Sequence, residues 1–110
     1  MDWSLEQRDT VLVGRPKGRV DESSWQVFGD ALTAAVDQAG KAGHKLVIDF
    51  SDLDYMSSRG LRALTLARRA ADANAVEIVL AAPNEVMREI LAISRYDKIF
   101  PLAASVEAAL

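Results

Sequence analysis

Two adjacent serines, Ser57 and Ser58, stand where a helix is expected to begin. They follow an apolar run at residues 45–50 and precede a helical pattern that starts at Leu61. Backbone N–H groups in the first turn of a helix have no intrahelical partners, so this position favours a serine cap and also favours a phosphate. Serine here could therefore fasten the helix, accept a phosphate, or do both.

A phosphate on Ser58 would change the surface strongly. It would add about −1.5 to −2 charge at the positive end of the helix dipole, and it could block a partner through charge repulsion and desolvation. Arg59 could partly neutralise it through charge-assisted hydrogen bonds. If Ser58 is only the cap, its replacement by alanine would cost about 1 kcal/mol. Local chemistry leaves both interpretations open.

Three carboxylates offer the main enzymatic alternative. Asp49, Asp52 and Asp54 follow a predicted strand, and carboxylates at the end of a strand can hold magnesium for phosphotransfer. A phospho-acceptor receiver domain would also need an acidic pair after its first strand, where this chain has Arg15 and Lys17. We therefore interpret the three acids as a strand end and a polar turn.

Other catalytic arrangements find little support in the sequence. The single histidine, His44, lies in a predicted loop, so no serine-histidine-acid triad can be proposed. The chain has no cysteine, which excludes disulfides, thiolate metal sites and cysteine nucleophiles. We expect neither an enzyme nor a bound metal or cofactor.

Length and composition favour one domain over residues 1–110. The chain is 50% hydrophobic with a net charge of −3, which argues weakly against nucleic-acid binding. Residues 1–8 do not resemble the start of a signal peptide, and no apolar run approaches the roughly 18 residues of a membrane-spanning helix. The expected location is cytoplasmic, without membrane insertion.

The first half of the chain predicts two short strands and a helix. Residues 10–14 form a β-branched run that should end at a turn with Gly14 and Pro16, and residues 18–21 should be extended. Ser23 and Gln26 have the spacing of a capping box. Apolar residues then recur every three or four positions as far as Ala39, and glycines at 40 and 43 should end this helix.

The second half predicts alternating strands and helices. Buried strands are expected at residues 45–50 and 76–80, with a helix from Leu61 between them. Asn84 should cap a third helix, residues 97–102 should be extended, and Ser105 should cap a terminal helix. The resulting order, β-β-α-β-α-β-α-β-α, indicates an α/β fold with parallel strand pairs, although the opening pair can be antiparallel.

Residues 47–64 resemble the STAS domain of bacterial anti-sigma factor antagonists. The family signature is an apolar strand ending in Asp or Asn, a short acidic turn, an aromatic or Ile/Met pair, and then D-S-S/T/A-G-L. Residues 18–21, 86–100 and 105–110 also resemble family segments. The resemblance implies a single STAS domain over residues 1–110. Its fold would be a mixed, mostly parallel sheet of about five strands, with about four helices packed mainly on one face.

The resemblance also implies a function by partner switching. The unphosphorylated form would bind an anti-sigma factor with serine kinase activity, phosphorylation would release it, and a PP2C-type phosphatase would reset it. Alignment on Gly60 places the phospho-acceptor at Ser58. This chain departs from the signature because Ser57 occupies the Asp position and Arg59 the position of a small residue, so Ser57 is an alternative acceptor. The expected partner-contact residues are Asp21, Glu22, Ser23, Ser57, Ser58, Arg59 and Arg62.

A second function remains open within the same family. The chain could be a STAS interaction subunit of a transporter or signalling assembly that is not phosphorylated. The helix start near Ser58 and Arg59 would then pack constitutively on a partner.

Overall fold

The computed structural model describes residues 1–110 and contains six β-strands, four α-helices and one 3-10 turn. The strands are β1 (Asp2–Arg8), β2 (Val11–Val20), β3 (Lys45–Asp49), β4 (Leu53–Met56), β5 (Ile78–Ala81) and β6 (Leu102–Ala103). The helices are α1 (Trp25–Ala42), α2 (Ser58–Ala73), α3 (Glu85–Ile93) and α4 (Val106–Ala109), with the 3-10 turn at Tyr96–Lys98.

All six strands belong to one mixed sheet. The main order is β1-β2-β3-β5-β6, while β4 pairs with the far end of β2. Only β1 and β2 are antiparallel, and every other pair is parallel. This arrangement confirms the α/β fold and the mostly parallel sheet, with six strands where about five were expected.

The turn predicted at Gly14 and Pro16 is wrong, because both residues lie inside strand β2. The two predicted opening elements are one continuous strand, which pairs with β3 over residues 11–14 and with β4 from Gly18 onward. Pro16 lies between these two pairings, so its missing N–H interrupts neither parallel ladder. On its other side β2 pairs over residues 11–17 with β1, a strand that was not predicted from the sequence.

Helices cover the two faces of the sheet unequally. Along β3 and β5 the side chains alternate, as expected for strands. Leu46, Ile48, Ile78 and Leu80 join the large core beneath α1, α2 and α3. Val47 and Val79 face the opposite side, in a smaller cluster closed by the short α4. The prediction of helices mainly on one face is therefore confirmed.

The predicted helices are present, but α2 begins at Ser58, before the predicted start at Leu61, and the end of α1 also differs from the prediction. Gly43 ends α1 in a left-handed conformation (φ 69°), whereas Gly40 remains inside the helix. Asn84 and Ser105 cap α3 and α4 as predicted, accepting hydrogen bonds from the N–H groups of Met87 (2.8 Å) and Ala108 (3.0 Å). None of the helices combines the length and apolar character needed to cross a bilayer.

Candidate functional site

Ser57, not Ser58, caps helix α2. Its backbone is extended, and its Oγ accepts a hydrogen bond from Gly60 N–H at 3.3 Å. Its N–H donates to the Val20 carbonyl at 2.8 Å, and its carbonyl accepts from Leu61 N–H at 3.0 Å. Ser57 is only 9% exposed. These contacts argue against the interpretation in which Ser58 is the cap.

Ser58 is the first residue of α2 and is exposed to solvent. Since Ser57 already provides the cap, the Ser58 hydroxyl is not needed to satisfy the N–H groups of the first turn. The two serines therefore differ in role although they are neighbours. Ser57 holds the helix, and Ser58 presents a hydroxyl at its positive end.

Gly60 lets the first turn of α2 approach the sheet closely. A Cβ at this position would lie 2.4 Å from Met56 Cγ and 2.7 Å from Val20 Cγ1. Both neighbours are fully buried. Close packing of α2 on the ends of β2 and β4 therefore requires glycine here, and it fixes where the two serines lie.

The turn between β2 and α1 is organised by Asp21. Its Oδ1 accepts hydrogen bonds from Ser23 N–H (3.0 Å), Ser23 Oγ–H (2.8 Å) and Ser24 Oγ–H (3.2 Å). The hydrogen bonds from Ser23 are the main reason that the pKa of Asp21 is lowered, so this carboxylate stays anionic to a more acidic pH than an ordinary aspartate. Ser24, rather than Ser23, precedes α1, and its side chain makes no capping bond to the helix. The predicted capping box of Ser23 and Gln26 is therefore wrong.

Arg59 connects this turn to the start of α2. Its Nε lies 3.3 Å from Glu22 Oε2, and its guanidinium carbon lies 5.4 Å from the centre of the Trp25 ring. Both partners of the ion pair are well exposed, with side-chain exposures of 57% and 72%. The segments that carry the predicted contact residues thus adjoin at this end of the sheet, with Ser57 buried among them.

A groove of about 720 Å³ runs between α1 and α2 from this junction. This groove was not predicted from the sequence. Gly29 faces Ala63 where the two helices pack, and a Cβ at Gly29 would lie at an ordinary contact distance of 3.5 Å from the Ala63 Cβ. The sequence feature that could have indicated a groove here is Gly29, a residue without a side chain inside the apolar pattern of α1. The groove is lined by Trp25, Gln26, Gly29, Asp30, Thr33, Arg59, Arg62, Ala63 and Leu66.

The acidic cluster considered for magnesium has a different arrangement. Asp49 is buried, and its carboxylate accepts from Arg15 Nε at 2.9 Å and from Ser51 N–H at 2.9 Å. Asp52 and Asp54 are exposed. No three His, Asp or Glu side chains are grouped so that they could hold a metal ion. Asp49 instead pairs with a cation of the neighbouring strand β2.

Comparisons with known proteins bear on the family and the fold of this chain. The family profile described as STAS domain matches residues 2–109. BtrV of Bordetella bronchiseptica, assigned as an anti-sigma factor antagonist, is 33% identical over 109 residues, which are 99% of this chain and 91% of BtrV.

Solved structures show the same fold at lower identity. The crystal structure of TM1081 from Thermotoga maritima, also assigned as an anti-sigma factor antagonist, gives a TM-score of 0.86 at 16% identity and covers 97% of this chain and 90% of that one. The Bacillus cell fate determinant SpoIIAA in its phosphorylated form gives 0.69 at 22% identity and covers 98% and 96%. The unphosphorylated form of SpoIIAA, an anti-sigma factor antagonist, gives 0.70.

Proposed function

The chain belongs to the STAS domain family, and we propose that it is an anti-sigma factor antagonist that acts by partner switching in the cytoplasm. Unphosphorylated, it binds an anti-sigma factor that is also a serine kinase. The kinase transfers the γ-phosphoryl group of ATP to Ser58 Oγ, which loses its proton, and ADP leaves. The phosphorylated chain then dissociates, and a PP2C-type phosphatase hydrolyses the phosphoester. The chain itself is a binding module in this cycle.

The contrast between the two serines is the observation that carries this proposal. Ser58 is exposed at the first position of α2, whereas Ser57 is 9% exposed and its Oγ is occupied by Gly60 N–H. A kinase can reach the first hydroxyl without disturbing the helix. Modification of Ser57 would require access to a buried hydroxyl that is engaged with Gly60 N–H. The geometry therefore supports Ser58 over the alternative acceptor Ser57.

The charges around Ser58 provide a mechanism of release. Asp21 and Glu22 lie on the neighbouring turn, and the hydrogen bonds of Ser23 hold the pKa of Asp21 low. A phosphate would add about −1.5 to −2 charge beside these carboxylates. A partner surface that accommodates a neutral hydroxyl would then face a strongly anionic patch, and burying that patch would cost desolvation energy.

The relatives support the same cycle. BtrV carries the name of an anti-sigma factor antagonist, and SpoIIAA is known in phosphorylated and unphosphorylated forms. Both forms of SpoIIAA match this chain with similar TM-scores, 0.69 and 0.70. We therefore expect phosphorylation to change the surface of this domain and to leave its fold intact.

Phosphosite mapping tests the proposal. The purified chain is incubated with ATP and each serine-kinase anti-sigma factor of its organism, and the product is mapped by mass spectrometry. We expect one phosphate on Ser58, none on Ser58→Ala, and normal phosphorylation of Ser51→Ala, which removes an exposed serine elsewhere. Phosphate found only on Ser57 would refute the assignment of the acceptor.

The alternative is a STAS interaction subunit that is not phosphorylated. The observation that favours it is the packing of Arg59 against Glu22 and Trp25. These contacts form an ordered surface that a partner could bind without any phosphate. Co-purification with transporter or signalling subunits would support this alternative if the cellular chain also carried no phosphate on Ser57 or Ser58.

A further inference from the structure

Two arginines near Ser58 differ in how they are held. The Arg59 side chain is engaged by Glu22 at 3.3 Å and by the Trp25 ring at 5.4 Å. Residues i and i+1 of a helix point in directions about 100° apart, because the helix has about 3.6 residues per turn. To reach a group on Ser58, Arg59 would have to leave both contacts.

Arg62 has the better geometry for a group on Ser58. It lies four residues further along α2, and residues i and i+4 share a face of the helix. Long helical side chains lean toward the helix N-terminus, so the Arg62 side chain is directed over the turn that Ser58 begins. Arg62 is exposed, and none of the ion pairs in the structure includes it.

We propose that Arg62, and not Arg59, binds the phosphate on Ser58, and that this contact withdraws the Arg62 side chain from the lining of the groove between α1 and α2. The proposal rests on phosphorylation of Ser58 and adds a way in which it alters the surface. A guanidinium can donate two parallel hydrogen bonds to a phosphate, which compensates for ordering the side chain. It also replaces the expectation that Arg59 neutralises this charge.

The consequence extends beyond the serine itself. Arg62 on α2 and Asp30 on α1 both line the groove. When Arg62 turns to the phosphate, the α2 wall loses one of its two arginine charges and keeps that of Arg59, while Asp30 stays on the α1 wall. Phosphorylation would therefore make the groove more acidic, so a partner group held there by Arg62 would lose its counter-charge.

The test uses phosphoserine installed at position 58 during translation, so it needs no kinase. The second pKa of the phosphate is measured by ³¹P NMR in the wild-type background and in Arg62→Gln, Arg62→Lys and Arg59→Gln. A nearby cation stabilises the dianion and lowers this pKa, so its removal must raise it. We expect Arg62→Gln to raise the pKa by about 0.5 pH unit, with Arg62→Lys near wild type and Arg59→Gln causing a smaller change.

Other charged groups near the serine surface are present in all of these variants. They are Asp21 and Glu22 on the turn before α1, Arg19 on β2 and Asp54 on β4. Their effect on the phosphate pKa should therefore largely cancel when the variants are compared. An unchanged titration in Arg62→Gln would overturn the proposal, and so would a larger change in Arg59→Gln. Neither result would affect the proposed function, because kinase transfer to Ser58 is measured separately.

Trp25 reports on the groove in the same samples. The indole N–H of Trp25 should shift between serine and phosphoserine in the wild-type background and much less in Arg62→Gln. Trp3 is the internal control, since it packs over Gly14 and against Phe28, away from the groove. A Trp25 shift that persists in full without Arg62 would overturn the movement of this side chain.

Discussion

The N–H of Ser57 donates to the carbonyl of Val20 at 2.8 Å, so the start of α2 is tied to the last residue of β2. This bond brings together two chain segments that are far apart in sequence. It also orients Ser57 as the cap and leaves Ser58 as the first exposed residue of the helix. The difference between a structural serine and an accessible serine follows from this contact.

Replacing the two serines should separate stability from modification. Ser57→Ala removes the cap and should lower the free energy of unfolding by about 1 kcal/mol, whereas Ser58→Ala should change it by less than about 0.5 kcal/mol. Urea denaturation measures both. The reverse order of effects would show that Ser58 is the cap.

Gly60→Ala should destabilise the domain. The new Cβ would lie 2.4 Å from Met56 Cγ, and overpacking of this kind costs roughly 1–3 kcal/mol, although alanine is the better helix former. Gly29→Ala is the matched control, because its Cβ would meet Ala63 Cβ at an ordinary 3.5 Å. We expect that control to be neutral or slightly stabilising. Equal stability of the two variants in denaturant titrations would contradict the close approach of α2 to the sheet.

The Asp21 turn should show a defined pH dependence. Its carboxyl pKa is lowered mainly by the hydrogen bonds from Ser23, so Ser23→Ala should raise that pKa toward its usual value. Because the folded-state pKa is the lower one, the stability that Asp21 contributes is present above its unfolded pKa. It is lost as the pH falls through the folded pKa. An NMR titration of the Asp21 carboxyl tests this, and the same pKa in Ser23→Ala as in the wild type would show that the Ser23 hydroxyl is not the main cause.

The three aspartates at and after the end of β3 should contribute unequally to the stability of the domain. Asp49→Ala leaves Arg15 without its close partner and removes a buried acceptor, so it should cost about 1–3 kcal/mol. Asp52→Ala and Asp54→Ala change exposed residues and should stay within about 0.5 kcal/mol. Thermal unfolding with and without magnesium should give the same midpoint. A magnesium-dependent rise that is lost in these variants would revive the metal-site hypothesis.

The sequence predicted the regular parts of the fold because their patterns are local. The buried strands around residues 46–48 and 78–80, the spacing in α1 and α2, and the caps Asn84 and Ser105 can all be identified from neighbouring residues. β1 and β4 were missed for a physical reason. β1 is a polar edge strand with mostly exposed side chains, and β4 has only four residues. Their strand pairing depends on β2, which is distant from β4 in sequence.

The segment of the candidate site could be proposed from the sequence, but its details depended on tertiary contacts. A cap at Ser57 or Ser58 satisfies the local pattern equally well, and the choice is made by the bond from Ser57 to Val20 and by the packing of Gly60. Arg59 is held by Glu22 and Trp25, which no spacing rule links to it. The groove is formed by the packing of α1 on α2, so it could not be predicted from either helix alone.

The central claim is that a phosphate on Ser58 prevents binding to the anti-sigma partner. Isothermal titration calorimetry of that partner with the unmodified chain and with the chain carrying phosphoserine at position 58 tests it most directly, with Ser58→Ala as the uncharged control. The account predicts that Ser58→Ala binds nearly as well as wild type. The phosphorylated chain should bind at least about 100-fold more weakly, a loss of about 2.7 kcal/mol. An equal Kd for the phosphorylated and unmodified chains would contradict it.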